Sequence, residues 1–419
     1  MSDTNLATGG HRPGPGQMVA QPDPRSAMLS LAQRNTASLM AFLFLIEIFW
    51  LVASRLVRAT IYVHSSYRVS PLEWGPMILF ALLAVFFAWV SRTGAYLVRP
   101  LPKIQISHLA MRAIILVAVA VNVLMLVSVD QDARYTSGAL TGISGVIYGF
   151  SQALTMTSLL LVLRHRDMSS RVPQWLVLVL LASYGLTIDG LAKALLLAVF
   201  LGLYMDVQVR RPLRLAVASG VGVALYWLGI SAKFVDVPEY FTPSFIVRWV
   251  VSRFAIQAEH MYTYLSGESI VGDRISYFDL VGRAIIERFE LVFNGDTFYE
   301  YPRSLSEALY YDAWGFYGAG SSPGIFLGTA VQGYWLFLVV PLFMTYVFFQ
   351  FFYGTLKRVS FLHIAAYSFL FKGVYTNFSE YLTIISPNIL YLAFFVLGCL
   401  IIARPPSGGP TGGRRLPPI

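Results

Sequence analysis

In the stretch "SFIVRWVVSRFAIQAEHMYTYL", Arg248, Arg253, Glu259 and His260 fall within four turns of a predicted helix. Arg253 and His260 are seven residues apart, and Arg248 and Glu259 eleven, so each pair returns to roughly one side of an ideal helix. These types suit a cationic pocket for a phosphate-bearing lipid. Guanidinium groups bind phosphate oxygens bidentately, and a carboxylate, or an imidazole titrating near neutral pH, can take a proton. They also suit an interfacial helix whose arginines meet lipid headgroups while Glu259 pairs with one of them, the commoner origin of charges at such positions.

Other polar residues gather at the ends of apolar runs. "VDQDARYTSG" supplies Asp130, Asp132, Arg134 and Tyr135; "TIDGLAKALLL" supplies Asp189 and Lys193; Lys372, Tyr375, Asn377, Glu380 and Tyr381 form a further rim. An ionisable group at such a depth, Lys193 above all, marks either a functional site or a snorkelling side chain. Glu47 interrupts the first run, either buried with a partner or close to a headgroup. In "AGSSPGIFLGTAVQGYW" a Gly/Ser/Pro turn opens an apolar helix, leaving N–H groups and a positive dipole end near Ser321, Ser322 and Gly324, a natural place for anionic oxygens. Ordinary capping and small-residue packing account for the same turn. Just upstream, Tyr310, Tyr311 and Trp314 in "YYDAWGFYG" could stack on sugar faces or belong to an interfacial aromatic belt. "YFDLVGRAIIERFELVF" is also amphipathic, but its Arg283 and Glu287 form an i,i+4 pair of the kind found on solvated helix faces.

The elements that position these groups follow from composition. Hydrophobic residues make up 56% of the 419 and charged residues 13%, with mean hydropathy +0.62, values of a polytopic integral membrane protein. Unpaired peptide groups are costly in hydrocarbon, and apolar runs of about 20 residues without period-2 alternation favour helices over a barrel, so the fold class is all-α. About ten runs appear, near 39–54, 74–91, 110–129, 138–163, 173–188, 190–205, 213–232, 324–352, 360–376 and 384–403. The expected organisation is a disordered tail over 1–36, spans 1–7 within 37–232, one large outer loop over 233–323 carrying both amphipathic helices, spans 8–10 within 324–403, and a disordered tail over 404–419. The first run is too long for a signal-peptide core and lacks a cleavage-like site, so it is expected to be its own insertion signal.

The net charge of +9 reads as topology rather than nucleic-acid binding. Alternate connections are rich in Lys and Arg, among them Arg92, Arg99, Lys103, Arg112, Arg164, Arg166 and Arg171; the opposite ones hold few, such as Arg55, Arg58, Arg68 and Arg134. Both termini are therefore expected in the cytoplasm and the large loop outside. The lone Cys399 excludes an intrachain disulfide, and six dispersed histidines show no metal-ligand spacing, so neither a metal nor a cofactor is expected. No Walker A loop, HExxH, GxSxG or paired DxD motif is present.

Four features together resemble the Wzy-type bacterial polysaccharide repeat-unit polymerases: the span layout, the single late outer loop, "DARYTSGALTGISGVIYG" opening the fourth span, and "SSPGIFLGTAVQGYW" opening the span after the loop. The resemblance covers most of residues 39–403 through short motifs. It implies a GT-C-like glycosyltransferase of the bacterial inner membrane, acting on polyprenyl-pyrophosphate-linked oligosaccharides among membrane lipids, with a flippase and a chain-length regulator as partners. The family's basic residue at the sixth-span rim, usually Arg in a G-S-R context, is matched in position by Lys193 in "DGLAK". On that reading Arg248, Arg253, Arg274 and Lys193 bind pyrophosphate and Glu259 or His260 is the base. A glycan ligase would use the same donor, whereas a transporter would be expected to show paired halves and mid-membrane charges.

Overall fold

A peptide group carried into hydrocarbon has to be satisfied within its own segment, and the apolar runs among the described residues accordingly form helices. The computed structural model describes residues 23–57, 73–128, 142–164, 172–185, 199–200, 203, 243–267, 269, 271, 305–314, 324–332, 336–353, 358–376 and 388–403. Within these the helices are α1 (Pro24–Leu56), α2 (Trp74–Leu97), α3 (His108–Ser128), α4 (Gly142–Arg164), α5 (Gln174–Gly185), α6 (Pro243–Leu265), α7 (Leu305–Trp314), α8 (Gly324–Gln332), α9 (Leu336–Phe352), α10 (Phe361–Thr376) and α11 (Asn388–Leu400). Among the described residues three helices, α1, α2 and α3, are long and apolar enough to cross a membrane. Apolar side chains cover their outer faces, including Leu82, Val85 and Trp89 on α2 and Leu116, Val123 and Val127 on α3. The runs expected at 190–205 and 213–232 lie outside the described residues, save 199, 200 and 203.

The N-terminal tail departs from expectation. Residues 24–36, read from composition as unfolded, belong to α1. The cause is local: the Asp23 carboxylate accepts the Arg25 N–H at 3.1 Å and Pro24 sits in the first turn, a good N-terminal stop. Ala32 and Thr36 are then buried, and Gln33 Nε2 donates to the Tyr96 carbonyl of α2 at 3.0 Å, fixing α1 and α2 as antiparallel neighbours.

α1 packs on α2, α6, α9 and α10, while α3, α4, α5 and α11 form a second group. Small residues bring the axes close. A Cβ on Gly94 of α2 would lie 2.7 Å from Leu342 Cδ2 of α9, and one on Gly398 of α11 would lie 3.3 Å from Thr157 Cγ2 of α4. Polar groups sunk between α3, α4 and α5 satisfy one another: Asn122 Nδ2 donates to Thr155 Oγ1 at 3.1 Å and to Ser183 Oγ at 3.2 Å, while Ser151 Oγ donates to Asn122 Oδ1 at 2.5 Å.

At the end of the bundle where α2, α4, α9 and α11 finish, two cations close the structure. The last carbonyls of a helix have no intrahelical donor. Here Arg164 donates to the carbonyls of Gln350, Tyr353, Cys399 and Ile401, the middle two at 2.6 Å and by a shorter contact respectively. Lys103 Nζ donates to the carbonyl of Gln350 at 2.8 Å and to that of Cys399 at 3.3 Å. Directly beside them, β1 (Ile104–Ile106) and β2 (Ile401–Ala403) pair in parallel, a short ladder absent from the all-helical expectation. Both cations lie in connections that the charge pattern had assigned to topology; here they also cap helices.

Burial, and then the neighbouring Arg164 guanidinium, bring the Lys103 ammonium from 10.5 down to about 7. Because the folded value is the lower one, its stabilising contribution is full above pH 10.5 and is lost as pH falls through about 7. Melting temperatures of the purified protein should therefore decline across that window relative to Lys103→Met, which carries no titrating proton; parallel profiles for the two proteins would refute the assignment.

Candidate functional site

The opposite end of α1 delivers Ser54 and Arg55 on its last turns, and α6 brings Glu259 against them. α6 holds Arg248, Arg253, Gln257, Glu259 and His260 within 23 residues, too polar to count among the membrane-crossing helices. Aromatic packing sets its position: Trp50 of α1 stacks on Phe254 with centroids 4.8 Å apart, and Phe254 meets Phe369 of α10 at 5.5 Å. Further along α6, the Glu73 N–H at the start of α2 donates to Tyr262 Oη at 2.6 Å. With α6 pinned at both contacts, Glu259 has little freedom to leave α1.

Glu259 is 1% exposed. Its Oε2 lies 2.8 Å from Arg55 Nη2, an ion pair without a well-aligned N–H···O bond, and its Oε1 makes a short hydrogen bond with Ser54 Oγ. The Arg55 guanidinium carbon sits 5.5 Å from the centroid of the Tyr262 ring. Burial pushes the Glu259 carboxyl above its usual range, opposed by the Arg55 charge and the Ser54 hydroxyl. Burial alone brings His260 down to about 3, so its imidazole is neutral at physiological pH and a weak proton acceptor.

Ser54 gives this pair a place for a proton. Its Oγ is also 2.8 Å from the Leu51 carbonyl, and one hydroxyl hydrogen serves one acceptor at a time. With Glu259 ionised, Ser54 donates to the carboxylate. With Glu259 protonated, the carboxyl donates to Ser54 Oγ and the hydroxyl turns to Leu51. Both states keep their hydrogen bonds, as a group that takes up and releases a proton needs.

The other predicted residues are distributed unevenly. Arg248 is exposed on α6, although eleven residues from Glu259 should place the two on one face; it lies beyond the segment of α6 pinned to α1. Arg253 is on the same helix, its side chain outside the described residues, and Arg274, Lys193, Ser321 and Ser322 also lie outside them. Tyr310 and Tyr311 are on α7, with Tyr310 only 9% exposed, which leaves little ring surface for a sugar; the Trp314 side chain is not among those described. Sequence reasoning treated Arg55 as a topology signal and did not single out Ser54. The available cue was that this Ser-Arg pair ends an apolar run, at a depth where charge is costly.

Gly324, the first residue of α8, has φ +69 in the left-handed region, and a Cβ there would come within 2.9 Å of Gln257 Cβ on α6. Glycine thus serves both the backbone and a close helix approach. Glu47, 2% exposed on α1, lines a small cavity with Gln257, Gly324, Ile325 and Phe326, which answers the earlier alternative: its carboxyl is buried. The cavity measures about 10 Å³, room for at most one water molecule. Phe326 then anchors α8, meeting Phe87 of α2 at 5.0 Å and Phe44 of α1 at 5.7 Å. Compared with known proteins, the chain matches no family model, no curated protein and no solved structure.

Two measurements check this description. Arg55→Gln leaves a buried carboxylate without its counter-charge and should cost about 3–5 kcal/mol in denaturant unfolding, whereas Arg55→Gln combined with Glu259→Gln recovers much of that loss; a double variant as unstable as Arg55→Gln alone would count against the pair. Gly324→Ala should cost about 1–2 kcal/mol from the left-handed backbone, with the clash on Gln257 in addition. An unchanged melting temperature for this variant would refute both constraints.

Proposed function

We propose that the chain is a membrane glycosyltransferase that polymerises polyprenyl-pyrophosphate-linked oligosaccharide repeat units into exopolysaccharide or O-antigen at the outer face of the bacterial inner membrane. The observation that supports this reading best is the buried Arg55–Glu259 pair and its Ser54 partner, set against membrane-type helices. A carboxyl group that can hold or release a proton there is the kind of group that removes a proton from an acceptor hydroxyl.

In this reading the donor glycan stays on its polyprenyl pyrophosphate, so the leaving group is already in the lipid and no nucleotide fold is needed. The acceptor is the terminal hydroxyl of an incoming lipid-linked repeat unit. As the new glycosidic bond forms and the bond to pyrophosphate breaks, Glu259 takes the hydroxyl proton. Arg248, Arg253, Arg274 and Lys193 are the groups we assign to the charge developing on pyrophosphate. Glu259 suits the base role better than His260, whose burial disfavours the imidazolium. The arrangement presumes a GT-C-like bundle of about ten spans with both termini in the cytoplasm, as the charge pattern predicts.

The test is the glycan profile of a deletion strain complemented with wild type or the shape-conserving Glu259→Gln, with polymer normalised to the membrane level of each protein. Loss of polymer per protein and accumulation of single lipid-linked repeat units are expected for Glu259→Gln. Long lipid-linked polymer building up in the deletion strain would place the protein after polymerisation, as a ligase, and overturn the proposal.

A further inference from the structure

A guanidinium has five N–H donors in a fixed plane. Arg55 turns only Nη2 toward Glu259. Its Nε and Nη1 are buried, and neither has an acceptor among the described residues. The side chain as a whole is 13% exposed. Leaving charged donors desolvated and unmatched is unfavourable, and the surrounding contacts do not remove the problem: Ser54 is engaged with Glu259 and Leu51, and Tyr262 Oη accepts from the Glu73 N–H, so what that ring offers Arg55 is its face. The residue is also held in place, with the ring on one side and the carboxyl on another, which lowers the entropy lost on binding.

We infer that Arg55 is an oxyanion-binding residue whose Nε and Nη1 donors take phosphate-type oxygens at the end of α1, with Glu259 competing for the same guanidinium. Phosphate oxygens match this donor geometry, and arginine is the side chain best suited to them where water is scarce. The anion approaches a cation whose charge Glu259 offsets, so binding is tuned by the carboxyl: with a proton on Glu259 donated to Ser54 Oγ, while the Ser54 hydroxyl donates to the Leu51 carbonyl, the guanidinium charge is free for the ligand. Only the identity of the anion rests on the polymerase reading. In that case it is the pyrophosphate of the lipid-linked donor, and Arg55 joins residues that sequence reasoning found elsewhere. A phospholipid headgroup or free phosphate presents the same oxygens.

Binding to the full-length protein in phosphatidylcholine nanodiscs tests this with farnesyl pyrophosphate, inorganic pyrophosphate and phosphatidylglycerol as separate probes. Arg55→Gln should weaken at least one of them by about tenfold or more. Glu259→Gln, which removes the competing charge and keeps the shape, should tighten the same probe roughly three- to tenfold, a change in the direction opposite to structural damage. Arg55→Gln with Glu259→Gln, which leaves no buried unpaired charge, guards against misfolding and should bind as weakly as Arg55→Gln. Selective loss of farnesyl pyrophosphate identifies a lipid-linked pyrophosphate, loss of inorganic pyrophosphate as well identifies a free anion site, and loss of phosphatidylglycerol alone identifies a headgroup. That last result keeps Arg55 as an anion site while removing the polymerase donor from it, so it separates the two readings. Unchanged binding of all three probes to the double variant, or weaker binding to Glu259→Gln, overturns the inference.

Discussion

Hydrocarbon offers no hydrogen bonds, so each polar group carried into an apolar bundle has to find its partner within the chain. Much of the architecture follows from that constraint. In the middle of the second helix group, Asn122 gathers hydroxyls from two other helices. At one end, Arg164 and Lys103 neutralise carbonyls that α9 and α11 leave open. At the other end, Arg55 and Glu259 answer each other across α1 and α6.

The two charged ends differ in how completely they are satisfied among the described residues. Arg164 donates to four carbonyls and leaves Nε as its remaining buried donor without an acceptor among the described residues. Arg55 meets one carboxylate, and its Nε and Nη1 have no acceptor among the described residues. A cation surrounded by backbone oxygens has fixed geometry and a structural role. A cation facing one buried carboxyl has its geometry set by that single partner and the ring beside it.

The sequence made the helices legible because apolar runs must fold that way, and it pointed to Glu259 through the company of Arg248, Arg253 and His260. It was less informative about α1 before residue 37, where Pro, Gly and Ser outweighed a short capping signal at Asp23-Pro24. The partner of Glu259 was not legible at all. Ser54 lies 205 residues away in the chain, and no local period connects residues so far apart. Gly324 was recognised as a helix opener and a point of close approach, but the element approaching it, α6 through Gln257, emerges only from tertiary packing. Arg55 was read for its charge alone, which conveys which side of a membrane a loop prefers and nothing about the atoms beside it.

The pairing of β1 with β2 has a bearing on biosynthesis. Ile104 aligns with Ile401, and Arg164 reaches Ile401 across 237 residues, so segments made early are tied to segments made much later. A ribosome releases them in order, at about 5–20 residues per second, and contacts between distant segments form late. Until α11 emerges, Arg164 lacks two of its four carbonyl partners and β1 lacks its strand. A nascent chain that has not yet reached Ile401 thus carries a cation short of its acceptors and an open strand edge.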